Sequence, residues 1–340
     1  MTAIATATTT HTAPHFIAPR DAGPRHRGLF TIPVTPFTDD GALDVDSLRR
    51  VVAFCVQSGA HGIVSPVNVS EFTTLTPAER ETVARTIVGE TRRASEPGHV
   101  PVVAGVGAPT TAEAVRYAQR AEDSGADAVI AMPAYATPLD EQGCYDFYAA
   151  LADAVSVPVY IQNHGPIGDG PGPRPGTPMS PELMARMLRE IDNVRYVKEE
   201  SANTGYKITR TLALAGDACG GIMGGKAGRF LFDEYRRGAC GTMPACEIND
   251  VHAQVWNTLE DGHPAGARLL LRVMLPLLDF EELFGPAICK EVLYRRRIIA
   301  SPFQRLPGPR LDRYDHEELD RLLADVSPWF TITTPIERPH

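Results

Sequence analysis

The chain has 340 residues, of which 43% are hydrophobic and 22% charged, with a formal net charge of -9. That balance belongs to a globular protein with a full core, long enough for one large barrel with an appendage or for two ordinary domains. It argues against nucleic acid, because phosphate binding needs concentrated Lys and Arg and only Arg295-Arg296-Arg297 forms a basic run. It argues equally against a membrane, since no apolar stretch approaches the ~20 residues needed to cross a bilayer.

The first 26 residues are rich in Ala, Thr and Pro without a continuous apolar segment. They read as a flexible extension over 1–26, not as a secretory signal. Six cysteines, at 55, 144, 219, 240, 246 and 289, show no CxxC pair and no zinc-like rhythm. Reduced buried thiols in a reducing, cytoplasmic setting are the expectation.

From Gly28 onward, a short β-branched run followed by an amphipathic helical stretch recurs. The runs are LFTIPVTPF (29–37), GIVSPVN (62–68), VPVVAGVG (100–107), AVIAMPA (128–134), VPVYIQN (157–163), VRYVKEE (194–200), CGGIMGG (219–225) and CGTMPA (240–245). Helix starts carry Ser, Thr or Asp caps, several followed by Pro: Asp44, Thr76-Pro77, Thr110-Thr111 and Ser180-Pro181. Ser58-Gly59 and Ser124-Gly125 supply the glycine that a left-handed helix end requires. The strands are apolar nearly throughout, so both faces should be buried, as in parallel sheets. Eight such units over about 235 residues predict an α/β fold, a (β/α)8 TIM barrel over 27–262. A doubly wound sheet is the alternative, but no GxGxxG follows the first strand. Helical patterns at PAGARLLLRVMLPLLDF, PAICKEVLYRRRII and HEELDRLLADV predict a C-terminal helical region over 263–340.

Reacting groups of such barrels project from the C-terminal strand ends. That selects Thr35, then Asn68, Val69 and Ser70, Tyr135, Gln162, Asn163 and His164, Lys198 and Glu200, Gly224, Gly225 and Lys226, and Met243. Lys198 sits inside an apolar strand, where a charge is costly unless paired or neutralised. A neutral amine there would condense with a ketone; the other reading is a rim lysine paired with Glu199 or Glu200. Tyr135 suits a proton carrier or an aromatic lid, and His164 a proton carrier or a structural ring. Lys226 suits a carboxylate contact or a solvated rim, with the Gly224-Gly225 amides able to face an anion. Ser70 could equally cap the next helix. No HxH pattern or carboxylate cluster suggests a metal, and no GxSxG elbow suggests serine hydrolysis.

GLFTIPVTPFTDDGALD, SGAHGIVSPVNVSEFTTLTPAER, SGADAVIAMPAY, VPVYIQN, VRYVKEES and GACGTMPA resemble the dihydrodipicolinate synthase / N-acetylneuraminate lyase family. The resemblance runs from about Gly28 to the final helices. It implies a class I lyase that binds a small 2-oxo acid as an imine on Lys198, without an external cofactor, commonly as a homo-oligomer (tetramer or dimer). Two departures matter. The family's G-T-T-G-E stretch reads Val67-Asn68-Val69-Ser70-Glu71 here, and its fifth-strand tyrosine is replaced by Gln162. The arginine expected a few residues later is missing, and a Gly/Pro-rich insertion, GDGPGPRPGTP, follows. Loss of the tyrosine, together with N-x-S-E, A-M-P-x-Y and I-Q-N, is similar to the subgroup that dehydrates 2-keto-3-deoxy sugar acids. Dehydration is therefore expected ahead of aldol cleavage or condensation. Glu200, Tyr135 and His164 are the available proton carriers, and a non-catalytic carboxylate-binding barrel is the rival.

Overall fold

The computed structural model describes residues 26–167 and 175–333. Residues 1–25 and the core of the Gly/Pro-rich insertion, 168–174, lie outside the described residues. Eight strands run β1 (Gly28–Thr31), β2 (Gly62–Ser65), β3 (Val102–Gly105), β4 (Ala128–Ala131), β5 (Val159–Asn163), β6 (Val194–Glu199), β7 (Gly221–Gly224) and β8 (Gly241–Thr242). Each pairs in parallel with the next, and β8 closes onto β1 through Gly28 opposite Gly241. The protein is a closed (β/α)8 barrel.

The continuous apolar strands resolve into two interleaved faces. Phe30, Val64, Val103, Ile130, Tyr160, Tyr196 and Met223 fill the interior. Ile63, Val102, Ala104, Val129, Ile161, Val197 and Ile222 pack outward against the helices. Alternation along each strand thus feeds two buried layers, which is why no polar face interrupts the sequence pattern.

The caps act as their residue types require. Asp44 accepts the Ser47 N–H at the start of α1 (Val45–Gln57), and Thr76 forms a reciprocal box with Glu79 opening α2 (Pro77–Ser95). Thr110 and Ser180 cap α3 (Thr111–Asp123) and α5 (Pro181–Glu190) by accepting the Glu113 and Leu183 N–H groups. Between and after these lie α4 (Glu141–Ala154), α6 (Thr204–Ala215), α7 (Leu231–Arg236) and α8 (Asn249–Glu260).

Three further helices, α9 (Pro264–Phe284), α10 (Pro286–Arg295) and α11 (Arg313–Val326), follow the barrel. They share a second core with α8, built on Trp256, Leu270, Met274, Leu277, Ile288, Val292, Leu319 and Leu322. Helix α9 runs through Pro276 and extends beyond the sequence-based end at Phe280. Gly285, at φ 56°, then reverses the chain into α10. No helix among the described residues is long and apolar enough to cross a membrane.

The N-terminal end of the barrel is sealed by an aromatic stack. Tyr160 and Tyr196 lie 4.6 Å apart, and the ring of buried His26 stacks on Tyr196 at 5.1 Å while its Nδ1 meets the Tyr160 hydroxyl at 2.6 Å. Burial lowers the His26 pKa to about 4, so the ring is neutral at physiological pH. Two residues further along β5 and β6, on the same inward face, come Gln162 and Lys198.

Candidate active site

Lys198 is 2% exposed, with its amine 3.1 Å from Glu200 Oε2. The β-strand period of two places residues 198 and 200 on one face, and the Glu200 N–H continues the β5–β6 ladder by donating to the Asn163 carbonyl at 3.0 Å. Gln162, in register with Lys198, donates from Nε2 to Glu200 Oε1 at 2.6 Å. Each carboxylate oxygen of Glu200 therefore has its own partner. Burial disfavours charge on this carboxyl, but Lys198, His164 and the Gln162 amide outweigh it and hold its pKa below the ordinary value. The site contains a buried carboxylate against a buried lysine.

Gly225 makes the room. A Cβ there would come 2.3 Å from Glu200 Cβ and 2.5 Å from its Oε2. Its N–H instead donates to the Glu199 carbonyl at 3.0 Å. Gly224 has a different reason: a Cβ would fall 1.8 Å from Glu234 Oε2, on the outer side of the strand. The glycine pair thus accommodates two carboxyl groups, one on each face of β7.

The turn after β2 folds as a single 3-10 turn, Asn68–Ser70, ending at Glu71 in the left-handed conformation, φ 54°. Ser70 stands as either a substrate contact or a residue that shapes the turn. Its hydroxyl donates to the Pro33 carbonyl at 2.7 Å and lies fully buried, while Thr35 Oγ1 donates to the Ser70 carbonyl at 2.7 Å. Both hydroxyls shape the turn. The Asn68 and Val69 N–H groups, by contrast, donate to nothing among the described residues, and Asn68 Oδ1 is buried without a partner. Glu71 anchors the turn from outside the sequence neighbourhood: its carboxylate pairs with Lys290 of α10 and accepts the Arg305 and Leu306 N–H groups at 2.8 and 2.6 Å.

Asn163, the other polar residue ending β5, turns outward. Its amide donates to Glu199 Oε2 at 2.6 Å, and its oxygen accepts the Met179 N–H at 2.7 Å. It holds the returning end of the insertion, away from the Lys198 face. Tyr135 sets its ring edge-on to Phe72 at 6.5 Å, near the buried Arg80, and its phenol has no hydrogen bond among the described residues. Burial raises its pKa. His164 Nδ1 lies 2.5 Å from the Gly165 carbonyl, and its field reaches Glu200. Lys226 adopts φ 53° with no polar partner for its amine among the described residues, and Met243 is buried in the barrel interior.

Glu234 carried no sequence signal, because FDEYRRG reads as a solvated helix. In the structure it is fully buried behind β7 with both oxygens outside hydrogen-bond geometry. Burial, only partly offset by nearby Thr204 and reinforced by Glu199, pushes its pKa up to about 8.

A model of the dihydrodipicolinate synthetase family matches residues 25–326. The chain belongs to this family. It is 31% identical over 309 residues to the L-2-keto-3-deoxyarabonate dehydratase of Azospirillum brasilense, covering 90% of this chain and 96% of that protein. It is 32% identical over 303 residues to a 4-hydroxy-tetrahydrodipicolinate synthase of Methanothrix thermoacetophila, covering 88% and 97%. Among solved structures, a putative dihydrodipicolinate synthetase from Pseudomonas aeruginosa superposes with a TM-score of 0.79 at 30% identity, covering 88% of this chain and 99% of that one. Membership of this family, with a dehydratase among the relatives, makes the chain a class I lyase and removes the non-catalytic alternative.

Proposed function

We propose that this enzyme dehydrates a 2-keto-3-deoxy sugar acid through an imine on Lys198, with Glu200 moving the proton. The observation that carries the proposal is the Lys198–Glu200–Gln162 arrangement, in which a carboxylate occupies the inward face where the family's fifth-strand tyrosine is missing. The Lys198 amine attacks the C2 ketone and water leaves, giving an iminium that draws electrons from C3. Glu200 takes a C3 proton and returns it to the C4 hydroxyl, which departs as water, so the carboxylate ends as it began. Tautomerisation and hydrolysis of the imine then free Lys198 and the dehydrated 2-oxo acid.

The Asn68 and Val69 N–H groups, free of partners among the described residues, suit the substrate carboxylate. Preorganised backbone donors of this kind need no hydroxyl, which fits a turn whose Ser70 is already committed. His164 lends positive field near Glu200. Lys226, at the mouth with no partner for its amine among the described residues, suits the distal end of the sugar acid. A homo-oligomer, dimer or tetramer, belongs to the same reading; Leu269 and Leu283 of α9 are 54% and 65% exposed and offer apolar area for a subunit contact.

The test is product analysis on a panel of 2-keto-3-deoxy pentonates and hexonates. Loss of the C4 hydroxyl with the carbon chain intact supports the proposal. Release of pyruvate and an aldehyde would show aldol cleavage, and condensation of pyruvate with an aldehyde would show a synthase.

A further inference from the structure

Three residues remote in sequence meet where the barrel joins the C-terminal helices. Glu247 follows β8, Glu281 lies in the last turn of α9 and Cys289 in the first turns of α10. One ligand atom from each lies within 4.8 Å of the others. The Gly285 reversal between α9 and α10 creates the approach, since it folds Cys289 back toward Glu281. None of the three belongs to the Lys198 pocket.

A buried carboxylate normally accepts hydrogen bonds from several donors. Glu247 is 1% exposed, yet its Oε2 has no hydrogen-bond partner among the described residues, and neither has the buried Oε2 of Glu281. Two carboxyl groups, each with one unsatisfied oxygen, thus converge on the Cys289 thiol, which also makes a hydrogen bond to each of them. Arg296 compensates Glu247 only from the side, since it donates to the Glu247 carbonyl at 2.7 Å and bridges to Asp250 at 2.8 Å. Cys246 is also close enough to act on Cys289, and it contacts Cys55. Three of the six thiols therefore share this region, although their sequence spacing showed no metal pattern.

From this geometry we infer that Glu247, Glu281 and Cys289 form a binding site for a divalent cation of zinc type. A tetrahedral zinc with oxygen and sulfur ligands at about 2.0–2.3 Å holds them about 3.3–3.8 Å apart. Side-chain adjustments of roughly 1 Å therefore close the set around the ion. A mixed carboxylate–thiolate donor set favours a borderline cation over magnesium or calcium, which take oxygen ligands, and over copper(I), which prefers sulfur. Glu281 is half-buried, the most accessible of the three. The ion would pin α9 and α10 to the end of β8, a structural role independent of the lyase chemistry.

The full-length protein, stripped with a chelator, is titrated with cobalt(II) and then with zinc. We expect one cobalt per chain, a near-ultraviolet thiolate-to-cobalt absorption, its loss on adding zinc, and a higher Tm for the zinc-loaded protein. The absorption should vanish in Cys289→Ser, weaken in Glu247→Gln and Glu281→Gln, and persist in Cys144→Ser, whose thiol lies on α4. No absorption and no Tm change in the wild-type protein would overturn the inference and leave a protonated carboxyl–thiol cluster instead. Persistence of the band in folded Cys289→Ser would overturn it as well. Because the wild-type titration decides by itself, a variant that fails to fold does not remove the test.

Discussion

The Glu200 carboxylate lies 3.1 Å from the Lys198 amine, two residues along the same extended chain and on the same inward face. A buried ion pair of this kind is poor value for stability, because desolvation of both groups offsets their attraction. Its position at a strand end of the barrel suits the catalytic use proposed for it.

Glu200→Gln keeps the shape and the contact to Gln162 but removes the proton carrier. We expect kcat to fall about 10²–10⁴-fold, the usual contribution of a positioned acid or base. The amine should still be able to condense with a 2-oxo acid. Steady-state kinetics alongside single-turnover imine formation separate the two effects; a variant within a few-fold of wild-type kcat would assign the proton transfer to another group.

Gly225→Ala inserts a methyl group against Glu200 Cβ, where only 2.3 Å is available. Overpacking of a fixed backbone position costs about 1–3 kcal/mol. Because the clash falls on the reacting carboxylate, activity should drop more than the denaturant midpoint would suggest. The comparison with Gly89→Ala, where nothing lies within 4 Å of the added carbon, controls for adding a methyl group alone.

Lys290→Met should be costly although Lys290 is far from Lys198 in sequence. It leaves Glu71 buried without its cationic partner, a defect worth about 3–5 kcal/mol. Burial already lowers the Lys290 pKa, with Glu71 opposing that shift. Since Glu71 closes the Asn68–Ser70 turn, KM for the 2-oxo acid should rise in any folded variant. Urea unfolding and substrate saturation, measured together, test this; unchanged stability would show the pair to be neutral.

Glu234 supplies the pH prediction. Its folded pKa, about 8, lies above the ordinary carboxyl value of 4.5 because burial penalises the charge. Between those pH values the folded state holds a proton that the unfolded chain has released. The contribution is therefore complete below pH 4.5 and is lost as pH rises toward 8, by roughly 1.4 kcal/mol per unit at most. Glu234→Gln should flatten the decline in stability across that window. Parallel pH profiles of wild type and variant would contradict the assignment of a raised pKa to this residue.

The barrel was legible because its signals are local. Caps at Asp44, Thr76, Thr110 and Ser180 and glycines at 59 and 125 each act within a few residues. Lys198, Gln162 and Glu200 were legible only as strand ends; strand alternation explains why the structure sets them on one face. The turn after β2 left Ser70 open between two roles, since the Pro33 carbonyl that takes its hydroxyl lies 37 positions away. Asn163 looked equivalent to Gln162, yet adjacent strand residues face opposite ways, and its partners are Glu199 and Met179. Glu71 with Lys290, separated by 219 positions, and Glu234 behind Gly224 depend on packing that no local pattern records.

The most direct test of the central claim is borohydride reduction of the enzyme incubated with pyruvate or a 2-keto-3-deoxy sugar acid, followed by peptide mass mapping. A reduced adduct on the peptide containing Lys198, absent in Lys198→Ala and retained in Glu200→Gln, is the result this account predicts. An adduct on another lysine, or none on folded wild-type protein with any 2-oxo acid, would contradict it.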